Sequence, residues 1–157
     1  MLFLTFLLTH PWAVLADLSV QPGGALAQEW KMVEETPKIF ETPFKVAVTC
    51  IRVPVLRAHC ESINLEFERK VTLEEIYEVL NNAPGVKVVD DRASNSHPEP
   101  LKASNQPDIL VGRVRYDQSQ GSPEEGYTGI EMFVAGDQLL KGAAQNAVQI
   151  AELLIDK

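Results

Sequence analysis

Arg52, Arg57 and His59 crowd the end of the run Cys50-Ile51-Arg52-Val53-Pro54-Val55. An arginine grips a carboxylate through two parallel hydrogen bonds, and a histidine exchanges protons near neutral pH. Together they could hold an acidic substrate and move a proton on it. Residue type and spacing alone leave a second reading open, in which both side chains are structural or simply solvated. The two cysteines, Cys50 and Cys60, are too few for a disulfide scaffold and lack a paired metal-ligand spacing, so they read as reduced thiols and no metal site is expected.

Strand ends and the loops that follow are where a rigid scaffold presents such groups, so the elements around this segment decide its geometry. Lys45–Val55 is rich in β-branched residues, with Val46, Val48 and Cys50 alternating with Ala47, Thr49 and Ile51. This predicts a strand buried on both faces and stopped by Pro54. Ser62–Glu68 alternates cleanly, with Ile63, Leu65 and Phe67 on one side and Asn64 and Glu66 on the other. Thr72 and Glu75 form a capping box, followed by the apolar stripe Leu73, Ile76, Tyr77 and Leu80 and the stop Pro84-Gly85. Upstream, Ala27–Phe40 has helical composition, with Trp30 and Val33 on one face and Pro37 expected to end or kink it.

Downstream, Val86–Val89 reads as a short strand and the polar stretch Asp90–Pro107 as a long loop. Ile109–Tyr116 and Gly129–Ala135 are two further strands joined by the turn Gly121–Gly126. Leu140, Ala143, Ala144, Ala147, Ala151 and Leu154 then repeat at helical spacing to the carboxyl end. This order predicts an α+β domain, a mixed and largely antiparallel sheet with helices packed on one face.

The 157 residues suffice for one domain with its own core, and 45% hydrophobic against 23% charged residues fits a globular chain. Fourteen basic and 22 acidic residues give a formal charge of −8, which disfavours a nucleic-acid partner. No apolar run approaches the roughly 20 residues that cross a bilayer, so no membrane partner is expected. Met1–Leu8 is a short hydrophobic run with no Lys or Arg before it, and Val14-Leu15-Ala16 could pass for a signal-peptidase site. The run therefore reads as a signal, a core strand or a stretch foreign to the fold. Pro22-Gly23-Gly24 marks a boundary. Residues 1–26 are set apart as a divergent amino-terminal segment, and residues 27–157 as the domain.

The segment Thr49-Cys50-Ile51-Arg52-Val53-Pro54-Val55-Leu56-Arg57-Ala58-His59-Cys60-Glu61 closely resembles the TCVRVPVxRxHSE signature of aspartate-semialdehyde dehydrogenases. The resemblance extends to Glu29-Trp30-Lys31-Met32-Val33-Glu34-Glu35-Thr36, to Val111-Gly112-Arg113-Val114-Arg115 and to Gly136–Ala144. It implies the carboxyl-terminal, substrate-binding and dimerisation part of an enzyme that reduces aspartyl phosphate with NADPH, releasing phosphate and aspartate semialdehyde. In that family a cysteine thiolate forms a thioester, which then accepts the hydride. The resemblance implies that Arg52 holds the substrate carboxylate, that His59 is the general acid/base, that Lys31 binds phosphate and that Gln138 touches the NADP cofactor. It also implies a homodimer and a role in lysine, threonine and methionine biosynthesis, in the cytoplasm or alternatively in a plastid.

Three departures matter. Gln28 stands where the family has a substrate-binding glutamate, keeping an oxygen acceptor without the charge. Glu29 is no easy replacement, being turned about 100° round a helix. Cys60 stands where the family usually has Ser, and residues before Ala27 match nothing in the family's preceding segment. These 157 residues hold neither the family's Gly-rich dinucleotide loop nor its Asn-Cys-Ser/Thr nucleophile turn. Cys50, placed in a predicted buried strand, is not expected to substitute. The expectation is a dehydrogenase part that is inactive alone, and the alternative is a non-catalytic, standalone dimerisation or binding domain. Acyl-phosphate reductases acting on N-acetylglutamyl phosphate are a distant third, because the Thr49–Glu61 signature is not theirs.

Overall fold

The protein is described by a computed structural model covering residues 2–9 and 27–155; Val14-Leu15-Ala16 and Pro22-Gly23-Gly24 lie outside the described residues. The elements in chain order are β1 (Leu2–Thr9), α1 (Ala27–Ile39), β2 (Val46–Val53), β3 (His59–Val71), α2 (Leu73–Asn82), β4 (Val86–Val88), α3 (Pro100–Ala103), β5 (Ile109–Tyr116), β6 (Gly121–Ser122), β7 (Gly126–Gly136) and α4 (Gln145–Ile155). The strands form one seven-stranded sheet in the order β2-β1-β3-β7-β5-β4, with β6 paired to β7. β1–β2 and β4–β5 are parallel, and the other pairings are antiparallel, so the sheet is mixed and largely antiparallel.

The capping box sets α2 in place. Thr72 accepts from the Glu75 N–H while the Glu75 carboxylate accepts from the Thr72 N–H, satisfying two donors that the first helical turn leaves over. Leu73, Ile76, Tyr77 and Leu80 then pack on Val111, Val114, Ile130 and Met132, the main core. Ile63, Leu65 and Phe67 of β3 join the same cluster, on the side their alternation indicates. A bulge on β5 between Gly112 and Arg115, with Arg113 at φ 55°, lets Val111 and Val114 both face inward despite their odd spacing. The opposite face of the sheet carries a smaller cluster, in which Ala103 of α3 covers Cys60, Leu110 and Ala135.

Three local expectations are corrected. β2 is half-buried at Val46, Val48 and Cys50 but exposed at Ala47, Thr49 and Ile51. It is an edge strand, paired within the sheet with β1 and covered by α1 on one side, so its β-branched run is not buried on both faces. Pro37 lies inside α1, which ends two residues later at Ile39. The last helix begins at Gln145, because Lys141, Gly142 and Ala143 leave helical geometry. Gly142 takes φ 86°, a conformation glycine adopts without a side-chain clash, and its N–H donates to Asn146 Oδ1 at 2.7 Å.

Candidate functional site

Strand register brings the chemistry together. Leu8 of β1 pairs with Arg52, and Leu7 pairs with both Ile51 and Cys60. Paired residues share a face and successive residues alternate, so Arg52 and His59 lie on one face, level with each other across β1. Their backbones stand two strand spacings apart, roughly 10 Å. Cys50 and Glu61 form the next row on that face, both paired with Phe6.

α1 supplies the rest of the Arg52 neighbourhood. Arg52 donates from Nη2 to Gln28 Oε1 at 3.1 Å, which leaves further guanidinium donors for an anion. Lys31 follows Gln28 by three residues on α1, on the same side of the helix, and is exposed. Glu29 is turned toward the sheet, where its Oε1 accepts the Cys50 N–H at 2.9 Å. Gln28, Lys31 and Arg52 thus share one rim, while Glu29 ties the helix to the edge strand.

His59 lies in a cavity of about 630 Å³, lined also by Glu61, Val134, Gly136, Gln138 and Lys141. Burial lowers the His59 pKa, and the Arg52 charge lowers it further, so the imidazole is neutral at neutral pH and can accept a proton. Gly136 pairs with His59 across β3 and β7, and its missing side chain keeps that wall of the cavity open. A Cβ there would also collide with Ile109 Cδ1.

The loop that presents His59 is over-determined. Ala58, fully buried, takes φ 77°, which costs a non-glycine residue about 1–2 kcal/mol. Its N–H donates to Gln138 Oε1 at 2.9 Å. Asp137, with no exposed surface, accepts Arg57 Nε at 2.7 Å and the N–H groups of Asn105 and Leu139. Burial alone would raise the Asp137 pKa, but the Arg57 and backbone hydrogen bonds outweigh it and hold the carboxyl below its ordinary value. Arg57 is therefore a positioning residue for the loop and is taken up by Asp137.

Both thiols are held protonated. Burial, then Glu29, raises Cys50 against the opposing effect of Arg52, and burial with Glu61 pushes Cys60 up to about 11. Sequence reasoning missed two site groups. Asp137 carried one signal, its place before Gln138 at the end of a strand. Glu61 carried another, its spacing of two from His59 on a strand, which puts both on one face.

The five residues to which the resemblance assigns roles thus fall into two adjoining groups, Gln28, Lys31 and Arg52 on the rim and His59 with Gln138 at the cavity. Among the described residues no helix is long and apolar enough to cross a membrane, and no group of three His, Cys, Asp or Glu residues could hold a metal ion.

Similar proteins give the arrangement a lineage. The chain is 47% identical over 131 residues to the aspartate-semialdehyde dehydrogenase of Synechocystis sp., a match covering 83% of this chain and 37% of the relative. The Helicobacter pylori (strain J99) enzyme of that name is 46% identical over 129 residues, covering 82% of this chain and 36% of the relative. The chain therefore spans little more than a third of these relatives' length. Among solved structures, aspartate semialdehyde dehydrogenase II of Vibrio cholerae, complexed with ASA, superposes with a TM-score of 0.85 at 28% identity, over 99% of this chain and 55% of that one. The Candida albicans enzyme with NADP shares the fold, with a TM-score of 0.70 at 24% identity over 98% of this chain and 49% of that one. The family model for the semialdehyde dehydrogenase dimerisation domain matches residues 18–141, and with relatives that are aspartate-semialdehyde dehydrogenases, the chain belongs to that family.

Proposed function

We propose that residues 27–157 are the substrate-binding and dimerisation domain of an NADP-dependent aspartate-semialdehyde dehydrogenase, with residues 1–26 a divergent leading segment. One observation carries the reading: His59 lies in an open cavity, on the same face of the sheet as Arg52 and level with it across β1. That pairing suits a substrate with a carboxylate at one end and a reacting carbonyl at the other. Arg52 holds the carboxylate through its free donors. Gln28, sharing a hydrogen bond with Arg52, fixes the guanidinium and offers an acceptor toward an ammonium group. Lys31, on the same side of α1, places positive charge where phosphate departs. His59 takes the proton of the attacking thiol as the thioester forms and returns it to the thiolate expelled when the thiohemiacetal collapses to the aldehyde.

The cofactor reading is tested by the cavity itself. A volume of about 630 Å³ admits a nicotinamide ring, and among the described residues Gln138 is engaged through its Oε1, which leaves its NH₂ for a carboxamide. When bound, NADPH supplies the hydride. Gln138 would hold only that end of it, since these residues include no Gly-rich dinucleotide loop. The family's name for this domain supports a homodimer, and the bacterial biosynthetic relatives support the cytoplasm.

The test is a chimera in which residues 27–157 replace the matching part of the Synechocystis relative. Phosphate-dependent reduction of NADP by aspartate semialdehyde is then followed by absorbance. Activity that is lost on His59→Ala supports the reading. A folded, dimeric chimera with no turnover would instead favour the non-catalytic binding domain, a reading to which the exposed apolar residues Val148, Ile150, Leu153 and Leu154 of α4 lend support.

A further inference from the structure

Glu61 follows His59 by two residues on β3, so both side chains leave the same face of the sheet, and both line the one cavity. The walls around Glu61 are apolar or small: Val134 is its partner on β7, Gly136 lies beside it, and Ile109 of β5 closes the side. The described residues give the Glu61 carboxyl no hydrogen bond and no ion pair. A carboxyl buried in a cavity beside an acid/base group is a candidate working group. We propose that Glu61 is a second proton carrier of the His59 cavity, passing protons between the imidazole and solvent. This deepens the acid/base reading given above and rests on it.

The other charged or titratable groups around the cavity do not replace it. Lys141, on the turn after β7, lines the rim and donates from Nζ to Gln149 Oε1 at 2.7 Å. Arg52 and Cys50 of β2 share the face two strands away, and Glu29 of α1 is engaged with the Cys50 N–H. Cys60 lies on the opposite face of β3. Burial pushes the Glu61 carboxyl up to about 7, while burial and Arg52 push His59 down. The carboxyl therefore holds a proton more tightly than the imidazole does, the reverse of their order in water. The step balances without an oxidant or reductant. The Glu61 O–H bond breaks as an imidazole N–H bond forms, and the carboxylate recovers its proton from solvent.

The test uses the chain itself, with no substrate. Carbon-13 resonances of the Glu61 carboxyl and the His59 ring are followed by NMR against pH, in the wild type and in Glu61→Gln. The proposal expects Glu61 to titrate near 7, the same inflection to appear in the His59 ring, and Glu61→Gln to remove it. A Glu61 titration at the ordinary 4.5, or a His59 ring indifferent to the substitution, overturns the proposal. Should Glu61→Gln fail to fold, the wild-type carboxyl titration decides by itself. Failure here leaves the dehydrogenase reading standing. An inactive chimera with the titration intact removes the dehydrogenase reading and, with it, the role proposed for Glu61.

Discussion

Arg57 and Asp137 meet edge to oxygen: Nε and Nη2 of the guanidinium both lie 2.7 Å from Asp137 Oδ2. The pair joins the loop before β3 to the loop after β7, and so sets His59 against Gln138. Removing one partner of a buried pair leaves the other groups unsatisfied. Asp137→Ala is expected to cost about 3 kcal/mol in urea denaturation. A loss near zero would show that the loop is held by Gln138 and Ala58 alone.

Glu61 makes stability depend on pH in a stated direction. Its folded pKa, about 7, lies above the ordinary 4.5, so the folded chain holds a proton that the unfolded chain releases. The contribution is fully present below 4.5 and is lost as pH rises through 7, amounting to at most about 3 kcal/mol. Denaturation midpoints of wild type and Glu61→Gln should converge below pH 4.5 and separate above 7, with the glutamine form the more stable. Parallel curves across that range would remove Glu61 as the source.

His59→Ala in the active chimera should lower kcat by about 10²–10⁴-fold through lost proton transfer, with the melting temperature little changed. Turnover equal to the parent would take His59 out of the mechanism.

Arg52→Lys keeps the charge and loses the fork of donors, including the bond to Gln28 at 3.1 Å. KM for aspartate semialdehyde should rise about tenfold, with kcat falling less, because one or two hydrogen bonds to a carboxylate are at stake. An unchanged KM in steady-state kinetics would reassign the carboxylate to another group.

Thr72→Ala should cost about 1 kcal/mol by removing the side-chain acceptor for the Glu75 N–H. A thermal melt that does not move would mean that packing of Leu73, Ile76 and Tyr77 holds the first turn unaided.

What the sequence made legible was whatever local rules decide. The Thr72–Glu75 box and the Ile63, Leu65, Phe67 alternation depend on neighbours a few residues away, and both stand in the structure. The exposed side of β2 depends on a partner the local pattern cannot name: the strand is at an edge, and the same β-branched run would suit a buried one. The spacing of Leu140, Ala143 and Ala144 suits a helix, because alanines are compatible with helical spacing whether or not the backbone obeys it. Gly142 decided against it. At the site, residue type and resemblance pointed to Gln28, Arg52 and His59. The buried pair Arg57–Asp137 joins positions far apart in the chain, and no spacing rule connects them.

β1 leaves a mark on how the sheet can assemble. β2 and β3 are consecutive, yet they do not pair; Leu2–Thr9 lies between them, with Leu2 opposite both Val46 and Leu65. The simplest early structure for such neighbours is a hairpin, formed in microseconds, and here it would be the wrong one. Native order requires closing long loops before any contact rewards them, a slow event by the contact-order rule. Direct zipping of β2 and β3 is therefore the expected competitor in refolding, and it would draw Arg52 and His59 to about half their native separation until β1 inserts.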